Sequence, residues 1–159
     1  MTTTYLAARF SRKLEMQVVA GLLAPHGIHN IASWVTGAHD YTGTPDENIP
    51  LEDQARFASD DLEEIVAADQ MIVFTEEEGN PWSRGGRHVE FGFGLAIGIP
   101  MVIIGPIENI FYAWAVTHGA EVARYDTLGE YIATLSADEK PLVADVAVKM
   151  AQVLAERSQ

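Results

Sequence analysis

The sequence predicts an α/β protein, a single doubly wound domain over residues 1–159 on a parallel sheet of roughly five strands. Three observations carry that expectation. Strand-like and helix-like segments alternate about five times along the chain. Two of the strand-like runs, QMIVFT at 70–75 and PMVIIG at 100–105, are apolar almost throughout, as strands covered on both faces of a parallel sheet are. No linker or internal repeat interrupts the 159 residues, a length at which one core removes about 70% of the unfolded surface from water.

Taken in order, TYLAARF (4–10) reads as a short strand, and from Ser11 the residues Leu14, Val18, Val19, Leu22 and Leu23 recur at helical spacing. GIHNIAS (27–33) offers a second strand. The turn formers of residues 36–50 make a loop without periodicity, of a length often tied to function. Leu51 to Ala68 is helical, with Ala55, Ala58, Leu62, Ile65 and Val66 on one side and acids on the other. After the strand at 70–75 comes a second loop, EEEGNPWSRGG (76–86), then a helix from Arg87 to Ile97 and the strand at 100–105. A helix around Asn109–Thr117, a weak strand at AEVARY (120–125) and an amphipathic helix from about Ala137 to Ala155 complete the chain. Doubly wound sheets bind ligands beyond the carboxyl ends of their strands, where strand order reverses. That singles out residues 7–13, 36–50 and 75–86.

Composition excludes several functions. Ten Lys and Arg against 23 Asp and Glu give a net charge of −13, so most of the surface repels a nucleic-acid polymer. With no cysteine there is no disulfide, thiolate metal site or thiol nucleophile, which is simplest for a cytoplasmic protein. The N-terminus MTTTYLAARF lacks the apolar region of a signal peptide. The most apolar stretch, residues 94–107, is short and broken by Gly and Pro, so no membrane association is expected. HVE at 88–90 matches half of a zinc deaminase signature whose cysteine ligands are missing, and GFGLAIG (92–98) has the wrong glycine spacing for a dinucleotide fingerprint. No phosphate-binding GxxxxGK[ST] loop, HExxH or GxSxG occurs, and the histidines at 26, 29, 39, 88 and 118 show no metal-site spacing. No metal or cofactor is expected.

What remains is a set of charges at the expected ligand edge. Arg9, Arg12, Lys13, Arg84 and Arg87 are five of the ten basic residues and should face one crevice. Either they neutralise nearby acids such as the Glu76–Glu78 run, itself expected as a solvated loop edge, or they form an anion pocket. In the second case Gly85 and Gly86 would let backbone N–H groups approach a phosphate. Glu90 falls one turn into the following helix, where the dipole favours its ionised form, a usable nucleophile. Val89, Phe91 and Phe93 give it apolar surroundings. Gly92 and Gly94 cost roughly 1 kcal/mol each relative to Ala in a helix interior, a cost that close packing or an approaching ligand would offset. Upstream, Asp61 and Asp69 project from neighbouring faces at the end of the 51–68 pattern, with Asp60, Glu63 and Glu64 on the solvated side. Periodicity does not decide which acid points inward.

YLAARFSR (5–12), DLEEIVAADQMIVFT (61–75) and GGRHVEFGFGLAIGIPMVIIG (85–105), in this order and spacing, resemble the nucleoside 2-deoxyribosyltransferase family, which includes the 2'-deoxynucleoside 5'-phosphate N-hydrolases. The resemblance covers roughly residues 4–112. It implies a flavodoxin-like, Rossmann-like fold and assembly as a homodimer or larger. It places the family's nucleophile on Glu90, its aspartate on Asp61 and its strand-one tyrosine on Tyr5. Arg9, Ser11 and Arg12 occupy the place where phosphate-cleaving members hold the 5'-phosphate, although AARFS here replaces their glycine-serine turn. Ser83, Arg84, Gly85, Gly86 and Arg87 complete the implied substrate-binding set, and Asn109 of PIENIFY is the residue lent to a neighbouring subunit. The implied activity, in nucleotide salvage, is cleavage of the N-glycosidic bond of a 2'-deoxynucleoside or its 5'-monophosphate. It proceeds through a glutamyl glycosyl-enzyme, with transfer to another base or to water. The alternatives are hydrolysis of a related ribosyl bond in a modified or signalling nucleotide, and a non-catalytic nucleotide-binding module. Trp34, Tyr41 and Trp82 would either stack on the base or pack.

Overall fold

The computed structural model describes residues 1–37, 48–77, 85–119 and 121–136. The chain divides into two compact units, Met1–Asp126 and Thr127–Gln159. The first holds every described strand; of the second, residues 127–136 are described, with a helix over 128–136. The helix expected at Ala137–Ala155 lies outside the described residues.

Five parallel strands, β1 (Thr2–Ala7), β2 (Ile28–Asn30), β3 (Gln70–Phe74), β4 (Met101–Ile104) and β5 (Val122–Tyr125), form one sheet in the order β2-β1-β3-β4-β5. Tyr5 is in register with Met71, and Val73 with Ile103. The connecting helices are α1 (Lys13–Leu23), the single turn α2 (Ser33–Thr36), α3 (Leu51–Ala67), α4 (Gly86–Ile97) and α5 (Ile110–His118). Right-handed crossovers put α1 on one face and α3, α4 and α5 on the other. Strand order reverses between β1 and β3, so the carboxyl ends of these two strands form the ligand edge of the sheet. The doubly wound expectation is therefore met in fold class, with the five strands and the helices between them. No helix among the described residues is long and apolar enough to cross a membrane.

The sheet is the core: Tyr5, Leu6, Ala7, Met71, Ile72, Val73 and Ile103 are fully buried. Two helix faces differ from expectation. On α1 the buried residues are Met16, Val19 and Leu23, while Leu14, Val18 and Leu22 are exposed. α1 is apolar on more than one side, so spacing alone selects two stripes and only contact with the sheet chooses between them. On α3 only Ile65 is buried; Ala55, Ala58 and Val66 face solvent, and Phe57, Asp61 and Leu62 are half-buried. The inward side of α3 is thus partly polar. Asp69 does not lie on that helix: it follows it, and its carboxylate accepts from the Thr3 N–H (2.7 Å) and hydroxyl (2.8 Å), tying β3 to β1 at the opposite edge. Glu64, expected in solvent, accepts from the Ser33 N–H at 2.9 Å at the start of α2.

Two glycines set α4. Gly85 enters it at φ 84°, a left-handed conformation that other residues seldom adopt. At Gly94 a Cβ would stand 3.0 Å from the Met71 sulfur and 3.1 Å from Ile99, so this glycine brings the helix close to the sheet. Of the structural options for the pair, packing on the sheet or on a partner subunit, packing on the sheet accounts for Gly94 alone, because a Cβ at Gly92 would meet open space within the chain.

Candidate active site

Tyr5, Asp61 and Glu90 converge from β1, α3 and α4. Tyr5 sits on the β1 face that α3 and α4 cover, and its hydroxyl donates to Glu90 Oε1 at 3.0 Å. Asp61 also acts on Tyr5 by charge and hydrogen bonding, which settles that Asp61, not Asp69, is the acid turned inward. Glu90 is half-buried, and its Oε2 is shielded from water with no hydrogen-bond partner among the described residues.

The electrostatics correct one expectation. The helix dipole was expected to hold Glu90 ionised, yet its pKa is pushed up to about 7, first by burial and then by the charge of Asp61. The Tyr5 hydrogen bond and the charge of Arg87 pull the other way. A helix terminus contributes roughly 0.3–1 kcal/mol, less than the cost of desolvating a carboxylate beside a second one. Tyr5 is itself driven upward by burial and by both acids, so it stays a protonated donor.

Of the five basic residues expected to face one crevice, Arg12 and Arg87 come together there, on a shared acid, while Lys13 lies over the Phe10 ring. Arg12 pairs with Glu15 (2.6 Å) and with Glu76 Oε1 (3.1 Å). Arg87, almost fully buried, donates to the Phe74 carbonyl (2.9 Å) and to both oxygens of Glu108 (2.6 and 2.5 Å), and its Nη1 lies 3.6 Å from the same Glu76 oxygen. Glu76 is therefore no solvated edge but a largely covered carboxylate between two guanidiniums, and its own N–H donates to Glu108. Arg9 Nε donates to Ser11 Oγ at 2.7 Å. Gly85 and Gly86 form the entry to α4, and the His88 and Val89 N–H groups close its first turn on the Gly85 carbonyl. Asn109 caps α5 of its own chain, accepting from Phe111 and Tyr112 N–H. Ser83, Arg84, Tyr41 and Trp82 lie outside the described residues. Trp34 is packed, not poised for a base: it is buried, with its ring N–H on the Leu6 carbonyl at 3.0 Å.

Sequence reasoning missed Glu108 and Tyr112. Tyr112 is buried, stacks on Phe91 at 4.0 Å between centroids and lies 3.2 Å from His88 Nδ1; burial pushes its pKa up to about 12. The strand-end rule that singled out residues 75–86 would have found Glu108 had it been applied after β4. No group of three or more His, Asp or Glu residues that could hold a metal occurs among the described residues.

No protein-family model matches the sequence, and no curated protein matches it. The fold does have solved counterparts. A 2-deoxyribosyltransferase from Bacillus psychrosaccharolyticus is 20% identical with a TM-score of 0.57, covering 84% of this chain and 95% of its own. The CMP N-glycosidase BcmB of Clostridium botulinum is 20% identical with a TM-score of 0.52, covering 85% and 98%. BlsM is 17% identical with a TM-score of 0.54, covering 92% and 94%. The chain thus shares the five-stranded parallel α/β fold of a 2-deoxyribosyltransferase and an N-glycosidase.

Proposed function

We propose that the protein cleaves the N-glycosidic bond of a 2'-deoxynucleoside or its 5'-monophosphate, with Glu90 as nucleophile. The observation that carries this reading is the meeting of Glu90, Tyr5 and Asp61 beside the carboxyl ends of β1 and β3. The likeness in fold to enzymes of that chemistry supports it.

As the C1'–N bond breaks, its electron pair goes to the base nitrogen, which takes up a proton, and positive charge gathers on the sugar. Two neighbouring carboxylates in a partly covered site stabilise that charge more strongly than water does. Glu90 then bonds C1' as an ester. A second base nitrogen or a water oxygen attacks the same carbon, the ester bond breaks, and the carboxylate is regenerated. Tyr5 aims the Glu90 carboxylate by donating to Oε1. Asp61 holds the sugar or manages the proton of the leaving base.

A pKa near 7 fits this task. The free site carries Glu90 in both forms at neutral pH, and a cationic sugar draws it into the ionised one. Base release or exchange measured with purified protein tests the reading: a panel of deoxynucleosides and deoxynucleotides should yield free base. Ligand-dependent stabilisation without any released base would instead mark a binding module.

A further inference from the structure

We propose that Arg87 is a positioning residue for the nucleophile and does not bind substrate. Pinned between the end of β3 and Glu108, it holds the first turn of α4 in place and keeps a fixed cation one turn before Glu90. This role rests on the N-glycosidic reading and deepens it. Arg87 and Glu90 are three residues apart on α4, so their side chains leave the helix on one face. The family resemblance places Arg87 in the substrate-binding set, but its terminal nitrogens are engaged within the protein. Nη1 donates to the Phe74 carbonyl at 2.9 Å, and Nη2 donates to both oxygens of Glu108 at 2.6 and 2.5 Å. Tyr112 of α5 also hydrogen-bonds with it. The end of β3, the segment after β4 and α5 thus meet on one guanidinium, whose planar fork suits it to several partners at once.

What is left over on the two side chains is complementary. Arg87 Nε and Glu90 Oε2 are both shielded from water with no hydrogen-bond partner among the described residues, one a donor and the other an acceptor. A covered carboxylate beside a second one is costly to ionise, and a cation fixed nearby lowers that cost. The groups that act on Glu90 come from three elements: Tyr5 on β1 donates to it, Asp61 on α3 repels its charge and Arg87 on α4 attracts it. Tyr112 on α5 feels the charge of Glu90 and bonds to Arg87. Arg87 is the cation of that set, and Glu108 keeps it there, because a guanidinium held by two charge-assisted bonds to one carboxylate has a fixed orientation.

The test reads the pH profile of kcat/KM together with affinity for a deoxynucleoside. Two neutral variants remove the cation: Arg87→Gln, which keeps amide donors toward Glu108, and Arg87→Met/Glu108→Gln, which removes both charges so that no buried carboxylate is stranded. In each the acid limb should move up by about one pH unit, a loss of about tenfold in mild acid that closes in alkali. Calorimetric binding of the deoxynucleoside should stay within about threefold. Arg87→Lys keeps the charge and loses the fork, so its limb should stay with that of the wild type while kcat falls about threefold. An unmoved limb in whichever neutral variant folds, or binding weakened about tenfold with the limb in place, overturns the proposal. Carbon-13 NMR titration of the Glu90 carboxyl, assigned by its absence from Glu90→Gln, reads the same shift without turnover. If no substrate releases base yet this titration moves, the N-glycosidic reading fails while the hold of Arg87 on Glu90 stands. A titration that does not move sinks the proposal whether or not base is released.

Discussion

Thr3 and Tyr5 stand two residues apart on one face of β1, and each offers a hydroxyl to a carboxylate brought from elsewhere in the chain. At the amino end Thr3 holds Asp69; toward the carboxyl end Tyr5 holds Glu90. The contacts are alike in kind and both favour the ionised acid, yet the two carboxylates end with opposite shifts. Asp69 has its pKa lowered, because the Thr3 N–H and hydroxyl both donate to it in the open. Glu90 has its pKa raised, because it is covered and faces Asp61. Hydrogen bonding alone therefore does not mark a reactive carboxylate; lost solvation beside a like charge does. The Thr3–Asp69 contact fastens two strands, whereas the Tyr5–Glu90 contact only partly offsets the burial and like charge that make an ionised Glu90 costly to the fold.

The strongest way to break this comparison is to remove each carboxylate. Glu90→Ala should lower base release by on the order of a thousandfold or more, and Asp69→Ala should leave the rate within about threefold, both read by steady-state kinetics. Next come the two residues that set the Glu90 pKa, which should act in opposite directions on the acid limb of kcat/KM. Tyr5→Phe removes a bond that favours the ionised form, so the limb should move above pH 7, with about a tenfold loss of rate at neutral pH. Asp61→Asn removes a like charge, so the limb should move down. Burial, the larger cause, keeps it above the ordinary value of 4.5.

Stability should show the same contrast. The folded protein binds the Glu90 proton more tightly than the unfolded chain does, so between about pH 4.5 and 7 stability falls as pH rises. Glu90→Gln removes that penalty, and chemical denaturation at pH 8 should show a gain on the order of 2–3 kcal/mol that vanishes by pH 4.5. Asp69 has the opposite sign: its lowered pKa supports the fold above the ordinary aspartate range, and the support is lost as pH falls through the folded value. Asp69→Asn should thus depress Tm slightly at pH 7, with the difference closing in acid.

The fold was legible because β3 and β4 are apolar on both faces and few architectures bury such strands. Glu90 stood out from its own surroundings, but Tyr5 and Asp61 joined it only through resemblance; the residues' own pattern left open which acid turned inward. Spacing did not reveal the ion-pair cluster, since Glu76 meets Arg12 across 64 positions and Arg87 meets Glu108 across 21. Local reading therefore left Glu76 in solvent. It also held Glu90 ionised, because the dipole is a property of one helix, while the burial and the Asp61 charge that outweigh it exist only once α3, α4 and β1 are assembled.

The central claim is that Glu90 carries the sugar. Its most direct test is peptide mass analysis of protein acid-quenched during turnover of a deoxynucleoside. A deoxyribosyl adduct on the peptide containing Glu90, absent from Glu90→Ala, is the predicted result. An adduct on a different side chain, with base release undiminished in Glu90→Ala, would contradict it.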